Sequence, residues 1–247
     1  MMKTLYQKNE VLFSVIWIVI YVVGTSIADN ISTLIGVAKS VTLLFHVILS
    51  VALYLGIKQN NLFVKYGLFF TDIPAKKFLY YSPLVLLVSS NLWFGFKMNF
   101  STNESIFYVL SMFCVGFLEE VIFRGLLFKA MAQDNIRDAI IISSITFGIG
   151  HIINLINGSG ADLVSNICQV IYAIAIGFLF VILFYRGKSL IPCIITHGLF
   201  NALNAFGNNP DSYIIEIAVS IILSIIAISY TLILLKILPK GKNELKS

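Results

Sequence analysis

Glu119, Glu120 and Arg124 stand within one apolar stretch, Phe117-Leu118-Glu119-Glu120-Val121-Ile122-Phe123-Arg124. A charge at the centre of a membrane helix costs roughly 2.5–3.5 kcal/mol, so three uncompensated groups would cost on the order of 8–10 kcal/mol. Such groups persist where they pair and line a polar interior. Two further apolar stretches carry polar side chains, Phe147-Gly148-Ile149-Gly150-His151 and His197-Gly198-Leu199-Phe200-Asn201. His197 and Asn201 are four residues apart and share a helix face. A carboxylate, two imidazoles and an amide are suited to peptide hydrolysis. A base takes a proton from water as it attacks the carbonyl carbon, and donors stabilise the developing oxyanion. No serine or cysteine beside a histidine offers an obvious nucleophile, so an activated water is expected. The two glutamates are not equivalent. Arg124 is four residues after Glu120, the spacing that pairs side chains on a helix. Glu119 projects about 100° away and is free to face the histidines.

These residues must be held by membrane helices. The chain has 247 residues, 58% of them hydrophobic and only 12% charged, with a mean hydropathy of +0.92. That composition predicts an all-α polytopic transmembrane bundle, one membrane domain over 1–247. Runs near ~20 apolar residues can cross ~30 Å of hydrocarbon. Eight are read, at about 11–30, 40–57, 78–97, 105–130, 138–157, 162–185, 189–206 and 213–236. Pro83 is expected to kink the third. With the N-terminus cytoplasmic and the spans alternating, only Lys39 and Lys97 of the 17 Lys and Arg fall outside. The positive-inside rule therefore predicts both termini in the cytoplasm. The net charge of +5 lies in short loops, which argues against nucleic-acid binding. At helical rise, Glu119 lies about 16 Å, His197 about 12 Å and His151 about 20 Å from the cytoplasmic ends of their spans. All three can meet in one layer, in the inner half of the membrane or near its middle.

The other polar residues have plainer readings. Lys3 and Lys8 precede an apolar run, and Thr25-Ser26-Ile27-Ala28 resembles a cleavage site; retention as a first helix is expected because the topology then closes. Asn60 to Lys77 is semi-apolar and expected at the membrane interface. Cys114, Cys168 and Cys193 read as buried small hydrophobes, with Cys193 close enough to His197 in sequence to be considered as a soft ligand. His46 reads as hydrogen-bonded structure. Asn91, Asn166 and Asn204 read as interhelical hydrogen-bonding residues, with Asn204 on the face of His197. Gly148, Gly150 and Gly198 should allow close helix approach.

Together the three motifs resemble the CPBP family, the CAAX prenyl proteases and bacteriocin-processing proteins also known as Abi. Its pattern is E-E-x-x-x-R, then F-x-x-x-H, then H-x-x-x-N, present here in order as Glu119-Glu120…Arg124, Phe147…His151 and His197…Asn201. The resemblance covers about 105–206, a catalytic core within the single domain. It implies an intramembrane endopeptidase of the Ras-converting type. Glu119 and His151 would activate water, His197 and Asn201 would form the oxyanion hole, and Glu120 and Arg124 would support them. The family has been described both as metalloproteases and as metal-free glutamate proteases. Zinc on Glu119, His151 and His197 is the alternative to a metal-free site; no H-E-x-x-H is present and Asn201 is a poor zinc ligand. Two non-proteolytic readings stand beside it: a bacteriocin self-immunity or scaffold protein, and a proton-coupled transporter built on intramembrane Glu and His. No inverted repeat supports the latter. The Ile-, Asn- and Lys-leaning composition points to a bacterial plasma membrane. The substrate expected is then a membrane-associated peptide or protein precursor, such as a pheromone or bacteriocin leader, rather than a prenylated protein. The site is expected to open toward the cytoplasmic leaflet.

Overall fold

The computed structural model describes residues 2–155, 162–208 and 210–239. Residues 156–157 of the fifth expected span, and Lys240, Lys242 and Lys246, lie outside them. The described residues are helical, with no strand among them and one isolated bridge between Phe96 and Gly207. In chain order the helices are α1 (Met2–Lys8), α2 (Glu10–Ile35), α3 (Ser40–Gln59) and α4 (Ser82–Ser89). Then follow α5 (Thr102–Met131), α6 (Ile136–Gly150), α7 (Leu163–Gly187), α8 (Ile191–Leu203) and α9 (Tyr213–Ile237).

Among the described residues, six helices are long and apolar enough to cross a membrane: α2, α3, α5, α7, α9 and α6 with its extension to Leu155. The third expected span is broken. Leu79, Tyr80 and Tyr81 take left-handed backbone angles, φ 51, 52 and 59, a conformation that costs an L-residue roughly 1–2 kcal/mol. The turn is pinned by Phe78, whose buried ring stacks on Tyr81 at 4.9 Å and whose carbonyl accepts a 2.7 Å bond from the Tyr230 hydroxyl. Pro83 therefore does not kink a long helix. It sits in the first turn of the eight-residue α4, where its missing N–H is harmless. The seventh expected span contracts to α8, 13 residues long, or about 20 Å.

Helix starts follow local capping chemistry. Ser101 and Glu104 form a reciprocal capping box at α5, while Asn135, Asp162 and Ser212 cap α6, α7 and α9; each satisfies otherwise orphaned backbone N–H groups. Small residues let α5, α6, α7 and α8 approach closely. A Cβ on Gly116 would meet the Gly198 nitrogen at 2.6 Å, and one on Gly148 the Ile174 nitrogen at 2.7 Å. Gly150 has open space around it, so of the three glycines expected at helix contacts it is not one.

The bundle has two chemically distinct ends. At one, Lys65 pairs with Glu10 at 2.6 Å, Gln133 donates to Glu10, Gly67 accepts from the Leu190 N–H, and Arg186 donates to the Leu235 and Leu238 carbonyls. Segment 60–74 is tied there and forms no spanning helix. At the other, Asp29 pairs with Lys39 at 2.8 Å, Glu104 accepts from the Ala38 N–H, and Ser165 donates to Glu216.

Candidate active site

The long helix α5 carries both glutamates at a change of winding. It is α-helical to Glu119 and π-helical from Glu120 to Phe128. Such i→i+5 segments recur at functional sites. All nine residues of the π segment are buried, and Ser143 of α6 donates to the Phe123 carbonyl at 3.0 Å.

Glu120 and Arg124 are fully buried. The Arg124 Nη1–Glu120 Oε1 distance is 2.9 Å, and Nη2 reaches the Gly177 carbonyl. The guanidinium lies 4.0 Å from the centroid of Phe147, a desolvated cation–π contact. Phe147 also meets His151 and His197 edge-on, at 5.4 and 5.6 Å between centroids. The first residue of the F-x-x-x-H motif thus packs against members of all three motifs.

His197 Nδ1 lies 2.8 Å from Glu120 Oε1, an ion–imidazole contact that fixes the ring orientation. Its Nε2 then points to Glu119 Oε2 at 3.7 Å. Glu119 Oε1 accepts a 2.5 Å bond from the Tyr21 hydroxyl of α2. Tyr21 had no signal in the sequence: it lies 98 residues from Glu119 and in no motif. Its ring stacks on His46 at 5.8 Å. His46 is hydrogen-bonded through both ring nitrogens, to Thr25 at 3.0 Å and Ser111 at 2.9 Å.

His151 and Asn201 line the same cavity as Glu119, about 300 Å³ in volume. The α6 helix tightens into a 3₁₀ turn at His151, whose carbonyl accepts from Asn166 at 2.8 Å. Asn91 donates to the Phe200 carbonyl at 2.8 Å. Beside them, a cavity of about 40 Å³ with aromatic walls, including Phe147, Tyr172, Phe180 and Phe200, also touches His151, His197 and Asn201. Asn204 lines both the Glu119 cavity and a polar cavity of about 480 Å³ that Asn166 and Asn208 share. Glu119 faces the open space and Glu120 does not, so the two carboxylates are chemically separated. The Glu119 cavity extends to Asp29 and Lys39. That is the lysine-poor end, opposite to the opening expected from the sequence.

Zinc was the alternative expectation. Among the described residues, no three His, Cys, Asp or Glu side chains are placed to hold a metal ion. Glu120 holds Nδ1 of His197, which leaves Nε2 directed at Glu119, and the buried Cys193 thiol donates to the Phe180 carbonyl.

Residues 101–203 match the family model described as type II CAAX prenyl endopeptidase Rce1-like. No curated protein and no solved structure matches the chain.

Proposed function

We propose that this chain, whose residues 101–203 match the Rce1-like family of type II CAAX prenyl endopeptidases, is a CAAX-type membrane endopeptidase that hydrolyses peptides with a water activated by Glu119. The observation that carries this reading is the pair of contacts on Glu119. One oxygen is held by Tyr21 at 2.5 Å, while the other faces His197 across 3.7 Å, in a cavity His151 and Asn201 also line.

Water in that cavity gives a proton to the Glu119 carboxylate as its oxygen bonds to the scissile carbonyl carbon. His151 assists in orienting the water. The carbonyl oxygen becomes an oxyanion, which His197 Nε2–H and the Asn201 amide stabilise. With Nδ1–H committed to Glu120, His197 can donate from Nε2 only as the doubly protonated imidazolium. Collapse of the intermediate breaks the C–N bond. The proton on Glu119 passes to the leaving amine, and the products are a carboxylate and an amine. Glu120 and Arg124 orient His197 and keep each other neutralised. No step requires a metal, and incubation with a chelator should leave the rate unchanged.

The substrate proposed is a membrane-associated peptide precursor, of the pheromone or bacteriocin-leader kind, in a bacterial plasma membrane. The test compares membrane-associated and secreted peptides, by mass spectrometry, from cells expressing wild type or Glu119→Gln. A peptide terminus present only with wild type is expected. Identical profiles at equal protein levels would overturn the reading in favour of a scaffold or immunity protein.

A further inference from the structure

Among the described residues, the catalytic layer is open toward one end and sealed toward the other, where a separate cavity of about 350 Å³, lined by Lys65, Phe128, Lys129, Ala132, Gln133 and Tyr185, contains no motif residue. Toward the lysine-poor end, the Glu119 cavity runs past Thr25 and Ser26 to the Asp29–Lys39 pair, whose side chains are about a quarter exposed, at 25% and 22%. The larger polar cavity lies on the same side. It is bounded by Asn208, beyond the end of α8, and by Ser165 and Glu216, at the starts of α7 and α9. Tyr108, Gln169 and Asn204 line both cavities, so a polar route joins Glu119 to that end. Toward the lysine-rich end, every residue from Glu120 to Phe128 is buried, and Leu118, Val121, Ile122 and Phe128 have no exposed surface at all. A hydrated peptide backbone cannot pass through close-packed apolar side chains without leaving its polar groups unpaired.

The two ends also differ in charge. Lys39 and Lys97 share the open end with Asp29, Glu104, Asp162, Asp211 and Glu216, whereas at the sealed one Lys58, Lys65, Lys76, Lys77, Arg137 and Lys188 outnumber Glu10, Asp72, Asp134 and Asp138. A bias of this kind retains the lysine-rich loops in the cytoplasm.

We infer that the active site is entered from the extracytoplasmic face of the membrane. Its substrate is then a peptide segment presented from outside, either exported or lying in the outer leaflet. The polar approach, walled by Asn, Gln, Ser and Tyr side chains, suits an extended backbone whose amides must stay hydrogen-bonded. A soluble protein tail arriving from the cytoplasm would meet the sealed end. The identity of the entering molecule as a substrate rests on the protease reading; the direction of entry does not.

Single cysteines placed at Ser26 and Asn208, in the two cavities, and at the exposed Lys76 of the sealed end test this directly. Each variant is treated in intact cells with a membrane-impermeant maleimide, and labelling is compared with that of the parent chain and of inverted vesicles. Ser26→Cys and Asn208→Cys should be labelled in intact cells, and Lys76→Cys only in inverted vesicles. The reverse pattern would overturn the inference, as would cavity cysteines that react from neither side while Lys76→Cys reports its face. This readout needs no catalysis. A chain labelled as expected but yielding no Glu119-dependent peptide would sink the protease reading and leave the direction of entry standing.

Discussion

Neighbouring glutamates have different surroundings because one residue of helix rotation separates an open cavity from a sealed core. Glu119 has surface to offer and Glu120 has none. Glu119→Gln should therefore abolish peptide cleavage while the thermal unfolding midpoint in detergent stays at the wild-type value. Asn201→Ala should lower kcat by about 10²–10³ if its amide serves the oxyanion. Tyr21 gives a finer test. Its hydroxyl holds one oxygen of the carboxylate, and a hydrogen bond to a charged group is worth about 1.5–3 kcal/mol. Tyr21→Phe should thus lower kcat by about 10- to 100-fold with KM unchanged; a rise in KM alone would remove Tyr21 from a positioning role. The pairing of Glu120 with Arg124 was legible from their spacing, because four residues on one helix dictate it. The Tyr21 contact was not, because no local rule connects α2 to α5. The Glu120–His197 contact lay between those cases: both residues belonged to recognised motifs, but their contact required the helices to pack.

At the level of the helices, position is set by glycines and by one stretch of changed winding. Gly148 and Gly198 could be read from their place beside the histidines. Gly116 could not, since nothing in its own stretch marks it, yet a Cβ there would strike the backbone of α8 at Gly198 and Ile194, at 2.6 and 2.8 Å. A backbone neighbour cannot swing aside as a side chain can. Gly116→Val should cost about 1–3 kcal/mol as an overpacked contact, seen as a lower unfolding midpoint. Gly150→Ala, with nothing within 4 Å, should leave that midpoint where it is. The break at Leu79–Tyr81 escaped the sequence for another reason. An apolar run of the right length reads as a span, and its interruption depends on Phe78 and on the Tyr230 hydroxyl of α9, which are brought together only by the tertiary fold.

The whole molecule is larger than the segment that carries its motifs. Residues 101–203 match the family, but Tyr21 and His46 come from α2 and α3, and the Ser220 hydroxyl of α9 donates to the Cys168 carbonyl of α7 at 3.0 Å. The lysine bias, by contrast, was plain in the sequence, because charge placement is read directly from residue order. A fragment of 101–203 alone would expose the α5 face that α2 and α3 cover, with Glu119 deprived of its hydroxyl partner. It would also expose the α7 face packed by α9. We expect that fragment to yield no stable membrane protein and no cleavage. Co-expression of 1–100 with 101–247 should restore both, since the cut falls in the loop before the Ser101 cap and severs no helix. Size-exclusion chromatography of the two pieces, with one of them tagged, would show whether they elute together. An active, monodisperse 101–203 fragment would mean that the helices outside the family segment only shield a self-sufficient core. Co-elution with restored Glu119-dependent cleavage would make α2 and α3 part of the catalytic unit.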